Sequence, residues 1–244
     1  MFAELLAGVG RQMIREFPPE GRRYWAARFW DREEVESRPV LGDDFRAQKQ
    51  EIARYIKQYG GAADRVLEIA CGTGEFTAMA ATLTSATEIV ATDISPQAAK
   101  MTRQRVDHPN LRTEVSDFWS TEQERAPLVL CVDAIHHLGE VPTVLRRLRT
   151  FVQPGGTFIG NLWTIDNFHE YQRGRYGSVQ HLLRSALFFC NALVMRLSNG
   201  RLRWASYRTQ LLSSQEIEPL LHQIFSEVLE MKKTRYFIAF ACRT

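Results

Sequence analysis

The clearest pattern along the chain is an alternation of short apolar runs with longer segments in which apolar residues recur at helical spacing. Residues 65–70 and 128–133 are near-continuous apolar runs, which are typical of strands buried on both faces. The segments between such runs are amphipathic and predict helices. Because strands that alternate with helices form parallel sheets covered on both sides, the pattern predicts an α/β fold.

Seven strands are predicted in total. The residues of the strands are 65–70, 88–93, 111–115, 128–133, 157–163, 227–231 and 236–242. Helices are predicted over 74–83, from Pro96 with Ser95 as its cap, from about Val141 to the "QPGG" turn at 153–156, and from Ser213 or Ser214 to about Phe225. The last two strands are separated by only a few residues, so we expect them to pair antiparallel.

Two segments fall outside this alternation. The first 40 residues are predicted to be helical and aromatic, with a break at 17–21, and Asp43 or Asp44 is expected to cap the helix that follows, to about Tyr59. After the fifth strand comes an insertion with a loop rich in Tyr, Gly and Arg, followed by an apolar helix over about 178–197. We therefore divide the chain into an N-terminal helical cap (1–60), a core (61–163), a lid (164–210) and a C-terminal helix with an antiparallel hairpin (211–244).

Composition narrows the class of protein. Hydrophobic residues make up 45% of the chain, and the net charge is only +3 without a Lys/Arg-rich block, which disfavours a nucleic-acid partner. The four cysteines lack metal-ligand spacing, so we expect reduced thiols, a cytoplasmic protein and no metal. The longest apolar run, 186–195, is about half of a membrane span, and Glu4 interrupts any signal-peptide pattern.

The turn after the first strand, from Ala70 to Gly74, carries two glycines that let the backbone approach a ligand. A phosphate-binding P-loop requires a lysine directly after the second glycine, and none is present. A nicotinamide fingerprint requires a third glycine where Thr77 stands. Both of these ligand classes are therefore disfavoured.

The third ligand class is S-adenosylmethionine (SAM), which has no phosphate and carries ammonium and sulfonium cations. A carboxylate ahead of the glycines favours such a ligand, and Glu68 occupies that position. Asp93, at the end of the second strand, can accept hydrogen bonds from both ribose hydroxyls. Asp117, after the third strand, can accept one from the adenine amino group, with Phe118 and Trp119 as apolar walls.

These motifs resemble, in order and spacing, those of class I SAM-dependent methyltransferases. The matching stretches are Glu68-x-x-x-Gly72-x-Gly74, "ATDIS" (91–95), "SDFW" (116–119), "LVLCVDAIHHL" (128–138) and "LRTFVQPGG" (148–156). The resemblance implies a Rossmann-like, seven-stranded, mostly parallel sheet with an antiparallel last strand, SAM as cofactor and S-adenosylhomocysteine (SAH) as product. The implied cofactor-binding residues are Glu68, Ala70, Cys71, Gly72, Gly74, Asp93, Ile94, Asp117, Phe118 and Asp133. Ala70 departs from the family, since many members have glycine there.

The segment after the fourth strand faces the transferred methyl group in this family. Here it begins Asp133-Ala134-Ile135-His136, unlike the [DN]-P-P-[FYW] motif of enzymes that methylate nucleobase or protein nitrogens. The two histidines that follow resemble those of members acting on small metabolites and natural products. His137, or else His136, is the expected general base, and a structural role for both is the alternative. The expected acceptor-binding residues are Tyr24, Trp30, His136, Trp163 and Tyr171.

The sequence thus predicts a methyltransferase for a small, apolar or aromatic acceptor, plausibly in secondary metabolism. Two alternatives stay open: an RNA or protein methyltransferase, and a SAM-binding protein without transfer, such as a cyclase or a binding subunit. The N-terminal helices or the apolar lid helix can also serve a homodimer. The sequence does not distinguish O-, N- and C-methylation.

Overall fold

The computed structural model describes residues 1–14, 25, 32–38, 41–199, 201–202 and 211–244. Seven strands form one sheet in the order β3-β2-β1-β4-β5-β7-β6. The first five pair in parallel, and β7 is antiparallel to both of its neighbours, which confirms the predicted fold class. Their bounds are β1 Arg65–Ile69, β2 Glu88–Asp93, β3 Leu111–Val115, β4 Ala126–Cys131, β5 Val152–Trp163, β6 Glu227–Lys233 and β7 Phe237–Arg243.

Helices cover both faces of the sheet. Their bounds within the described residues are α1 Phe2–Met13, α2 Arg32–Glu36, α3 Gly42–Gly60, α4 Glu75–Leu83, α5 Pro96–Arg105, α6 Val141–Phe151, α7 Phe168–Leu197 and α8 Ser214–Ile224. Apolar residues of α6 and α8 bury one face of the sheet, and those of α3 and α4 bury the other. The helix starts at Ser95 and Ser213 are confirmed, because both side chains accept a hydrogen bond from the first turn of the helix.

The predicted cap of α3 was wrong. The helix begins at Gly42, Leu41 is its cap residue, and no side chain caps it. Asp44 instead accepts hydrogen bonds from the backbone N–H groups of Arg235 (2.9 Å) and Tyr236 (3.1 Å). The carboxylate therefore fixes the turn between β6 and β7 onto α3, a tertiary contact that local capping rules do not include.

The predicted loop at the start of the insertion was also wrong, because α7 begins at Phe168 and includes most of that segment. Gly177 interrupts the helix with a φ of 81° and a ψ of 162°, so α7 consists of two helical halves. Tyr171 anchors the first half, since it is 1% exposed and packs against Trp163 of β5. Tertiary packing thus overrides the weak helix propensity of Gly174, whereas Gly177 breaks the helix.

The N-terminal helix α1 packs along α7. Gly10 lies at the closest approach, where an added Cβ would stand 3.0 Å from the ring of Phe188. The helix predicted from residue 2 onward is confirmed as far as Met13. The predicted break at 17–21 lies outside the described residues.

Candidate active site

A large cleft opens beyond the carboxyl ends of the parallel strands. The order of the sheet reverses between β1 and β4, and open α/β sheets bind ligands at such a switch point. The cleft has a volume of about 1160 Å³ including its open mouth.

The turn after β1 forms the floor of the cleft. Ala70, Gly72 and Gly74 all have positive φ angles, of 60°, 57° and 78°. Gly74 starts α4 just beyond the cleft lining, and a Cβ there would stand 2.7 Å from the Cα atom of Thr102. Ala70 pays about 1–2 kcal/mol for the left-handed conformation, which explains why glycine is the common residue at this position in the family that the chain resembles. Cys71 and Gly72 line the cleft between these points.

Glu68, at the end of β1, is only 2% exposed and points into the cleft. Its carboxylate accepts a hydrogen bond from the hydroxyl of Thr77. Thr77 is the residue that replaces the third glycine of a nicotinamide fingerprint, and here it holds the carboxyl group in position. Burial, with the nearby charges of Asp93 and Glu75, raises the pKa of Glu68 to about 8. A cation bound beside this group would lower that pKa again.

Asp93 ends β2 and ties two backbone segments together. One carboxylate oxygen accepts the N–H of Gly72 at 2.9 Å, and the other accepts the N–H of Ser95 at 2.8 Å. Burial raises the pKa of Asp93, while these two backbone hydrogen bonds oppose the shift. The adjacent Ile94 lines the cleft beside Asp93.

The turn after β3 brings Asp117, Phe118 and Trp119 to the same cleft. Asp117 accepts the N–H of Trp119 at 2.8 Å. The indole N–H of Trp119 in turn donates to the backbone carbonyl of Leu138 at 2.7 Å, which joins this turn to the loop after β4. The predicted adenine-side residues therefore form one rigid wall.

The charges that line the cleft favour a cationic ligand. Among the described lining residues are five carboxyl groups, one guanidinium group, that of Arg32, and no lysine. Glu75 pairs with Lys49 and Asp133 pairs with Arg32, which leaves Glu68, Asp93 and Asp117 without a cationic partner in the described contacts. A diphosphate would be repelled from such a surface.

Sequence reasoning missed Arg32, which α2 brings against the cleft with only 3% of its surface exposed. Its guanidinium group donates to Asp133, to Glu36 at 2.7 Å and to the backbone carbonyl of Phe45 at 2.6 Å, and it also contacts Gln48. No local motif marks this residue, because three of its four partners lie outside its own helix, two on α3 and one after β4.

Asp133, predicted to bind the cofactor, lies at the cleft but belongs to this polar network. Besides Arg32, its carboxylate accepts hydrogen bonds from Gln48 at 3.1 Å and from Asn161 at 2.7 Å. Its backbone N–H donates to Asn161 at 2.6 Å, and its φ is 57°. These contacts hold the loop after β4 in a fixed, strained conformation.

The two histidines take different positions on the short 3₁₀ helix Ile135–His137. His137 lines the cleft, where its ring meets that of Trp25 edge-on at 5.1 Å. His136 is 2% exposed and packs on Trp163 at 5.4 Å, outside the cleft lining. Burial, together with His137, holds the pKa of His136 well below 6.5, so His136 is a neutral packing residue.

Two further predicted acceptor residues, Trp163 and Tyr171, do not line the cleft. Trp163 and Tyr171 pack against each other and against Phe45 and Phe237 in a buried aromatic cluster. Tyr24 and Trp30 lie outside the described residues. Trp25 is the described aromatic residue of this N-terminal segment, and it lines the cleft. The count of aromatic residues indicated that this segment contacts the core, but not which ring reaches the ligand.

Comparison with known proteins identifies the central part of the chain. Residues 67–158 match a family model described as "Methyltransferase domain". No curated protein is similar to the chain in sequence. Many solved structures share its fold.

Three of these solved structures are methyltransferases. The N-methyltransferase NodS from Bradyrhizobium japonicum with SAH is 13% identical, with a TM-score of 0.55, over 87% of this chain and 96% of that one. The magnesium protoporphyrin IX methyltransferase of Synechocystis with SAH is 13% identical, with a TM-score of 0.59, over 91% and 96%. The 1,6-didemethyltoxoflavin-N1-methyltransferase of Burkholderia thailandensis, with its acceptor and SAH, is 16% identical, with a TM-score of 0.56, over 84% and 81%.

Two kinds of feature are absent from the described residues. None of their helices combines the length and apolarity needed to cross a bilayer. Their His, Cys, Asp and Glu side chains form no group of three that suits a metal ion.

Proposed function

We propose, from the premise that residues 67–158 are a methyltransferase domain, that the protein transfers the methyl group of SAM to a small apolar or aromatic acceptor and releases SAH. One observation carries the proposal. Glu68, Asp93 and Asp117 lie at the carboxyl ends of three neighbouring parallel strands and line one cleft that contains no lysine among its described residues. Such a cleft suits a cationic nucleoside without phosphates.

In this proposal each of the three carboxyl groups binds a different part of the cofactor. Glu68 favours the ammonium and sulfonium cations at the methionine end. Asp93 accepts hydrogen bonds from the ribose hydroxyls through the carboxylate lone pairs that the N–H groups of Gly72 and Ser95 do not occupy. Asp117 accepts from the adenine amino group, and Phe118 covers the base. The related structures that contain SAH or SAM support this choice of cofactor.

The acceptor lies, in this proposal, between His137, Trp25, Leu138 and Trp119. These described residues line the cleft with apolar or aromatic surface and one imidazole. Flat heteroaromatic acceptors fit such a lining. Two of the related enzymes are named for porphyrin and toxoflavin-type acceptors, which supports this class.

Methyl transfer requires little covalent help from the protein. The acceptor atom attacks the methyl carbon in line with the sulfonium, the new bond to carbon forms, the C–S bond breaks, and its electron pair stays on sulfur in neutral SAH. The cleft contributes by holding the two reactants aligned and by excluding water. Where the acceptor atom carries a proton, His137 takes it as general base.

Calorimetric titration with SAM and with SAH tests the proposed cofactor binding, and we expect both ligands to bind. Asp93→Ala should weaken SAM binding at least about tenfold, because hydrogen bonds to a charged group contribute about 1.5–3 kcal/mol each. Asp107→Ala, at an exposed position, is the matched control and should bind normally. If wild type binds neither ligand, the proposal is wrong.

Mass spectrometry of a metabolite panel with methyl-labelled SAM tests the proposed methyl transfer to a small acceptor. A labelled small product supports the proposal. Label in added RNA or protein alone would instead favour a macromolecular methyltransferase. Tight SAM binding with no labelled product from any acceptor class would favour a SAM-binding protein that does not transfer the methyl group.

SAM binding is also expected to depend on pH through Glu68. Its pKa of about 8 falls when the cation binds, so binding releases a proton below pH 8 and the affinity rises with pH, by up to about tenfold per unit. In the protein alone, the same raised pKa lowers the free energy of unfolding as the pH rises from about 4.5 to about 8, because the folded state retains a proton that the unfolded chain gives up.

Calorimetry in buffers of different ionisation enthalpy measures this proton release directly. Glu68→Gln is the control, because it keeps the size and the hydrogen bond to Thr77 but cannot titrate. We expect the variant to bind SAM more weakly and without proton release. Equal proton release in wild type and Glu68→Gln would assign the effect to another group.

A further inference from the structure

The second half of α7, residues 178–197, has an apolar stripe that faces solvent. Its large members are between 37% and 76% exposed: Val179, Leu182, Leu183, Leu187, Leu193 and Leu197. Together with Ala186, Cys190 and Val194 they recur at intervals of three or four residues along one side of the helix. The outward stripe is thus aliphatic along its whole length.

The inward side of the same helix is more polar than the outward one. His181, Ser185 and Asn191 are between 1% and 5% exposed, beside Phe188, Ala192 and Met195. A surface helix of a globular protein normally shows the opposite arrangement, with its apolar residues inward. The partner helix α1 also exposes Phe2 and Leu5, at 65% and 62%. Exposed apolar surface of this kind marks an interaction site.

The charge that the segment 171–215 itself carries is of one sign, and two of its arginines pair with acids of other helices, Arg173 with Glu4 and Arg175 with Glu34. Residues 171–215 contain seven arginines and no Asp, Glu or Lys. Of the 31 basic residues in the chain, the 24 that lie elsewhere are outnumbered by the 28 acidic residues, so the positive net charge of the protein comes from this segment. Arg196 and Arg201 are exposed next to the exposed Leu197 and Leu202.

We propose that the outward face of α7, together with α1, binds the surface of an anionic lipid bilayer, with the helix lying in the plane of the headgroups. Aliphatic side chains along one stripe with arginines beside them match the two attractions of such a surface, apolar burial and pairing with lipid phosphate. A second copy of the chain matches less well, because pairing the stripe with itself brings arginines together while the segment supplies no acid. The proposal does not depend on methyl transfer.

Co-sedimentation with vesicles tests this surface. With phosphatidylcholine vesicles containing a quarter of phosphatidylglycerol, we expect binding at least about tenfold tighter than with phosphatidylcholine alone, since each basic residue near an anionic surface contributes about 1 kcal/mol. The double substitution Leu183→Glu with Leu187→Glu should weaken that binding at least about tenfold, because it removes apolar contact and adds repulsion. Both side chains are exposed, so the variant should fold.

Val115→Glu is the matched control. Val115 is also an exposed apolar residue, at 46%, but it lies on β3 at the opposite edge of the sheet, and its replacement should leave vesicle binding unchanged. Thermal unfolding and SAM calorimetry on each variant separate a folding defect or a failed cofactor site from a lost membrane surface.

Three results would overturn the proposal. One is that wild type binds neither kind of vesicle. Another is that the glutamate pair leaves vesicle binding unchanged. The third is that sedimentation velocity shows a dimer that the glutamate pair dissociates, without vesicle binding, which would assign the stripe to a second copy.

Discussion

Replacing His137 with alanine is expected to lower turnover by about 10²–10⁴-fold while leaving the dissociation constant of SAM nearly unchanged. The imidazole lines the cleft beside Trp25, and the proposed role concerns only the proton of the acceptor. Loss of a general base raises the barrier of the chemical step without removing a contact to the cofactor. Single-turnover rates with the acceptor identified by mass spectrometry, together with SAM calorimetry, measure the two effects separately.

The control for this substitution is His222→Ala, at an exposed position on α8, which should leave both quantities unchanged. Unchanged turnover in His137→Ala would rule out His137 as the base.

Arg32→Met is expected to lower the free energy of unfolding by about 3–5 kcal/mol. The guanidinium group is 3% exposed and is the cationic partner of Asp133, so its removal leaves that carboxylate without a described cationic partner, whereas Glu36 also lies 3.6 Å from Lys49. For a chain of this size each kcal/mol corresponds to about 2–4 °C in melting temperature, so calorimetry should show a fall of roughly 6–20 °C.

Two further variants separate this network from a general effect of lost charge. Arg46→Met removes an arginine from an exposed pair with Asp43 and should change the free energy of unfolding by less than about 1 kcal/mol. Adding Asp133→Asn to Arg32→Met removes the carboxylate charge that Arg32→Met leaves without a cation. The double variant should therefore recover part of the loss in the free energy of unfolding. If Arg32→Met alone is as stable as Arg46→Met, the polar network around Arg32 adds nothing to stability.

The sheet and its connections were predictable because they depend on local signals. The strands 88–93 and 111–115 have the predicted bounds, since each is a short apolar or alternating run between turn residues. Ser95 before Pro96 marked a helix start for a purely local reason. Asp44 and the first half of α7 were mispredicted because distant partners decide them: the β6–β7 turn binds Asp44, and a buried aromatic cluster holds Tyr171.

In the candidate active site, too, local signals were predictable and contacts with distant residues were not. Glu68, Asp93 and Asp117 lie at the carboxyl ends of parallel strands, and such ends meet at one edge, so their convergence in one cleft followed from their positions in the chain. Arg32 was missed because a lone arginine in a helical segment has no signature for a contact with Asp133, 101 residues away. The two histidines are adjacent in sequence, and only the 3₁₀ turn determines which one lines the cleft.

The position of β7 has a consequence for how the protein is made. This strand lies between β5 and β6 and pairs with β5 from Thr157 to Trp163. Until the ribosome has released residues 237–243, the long buried strand β5 therefore has an open edge, which is a template for pairing with other chains. We expect the nascent chain to depend on chaperones over that interval, and a chain cut before Phe237 to aggregate rather than to keep a smaller native sheet.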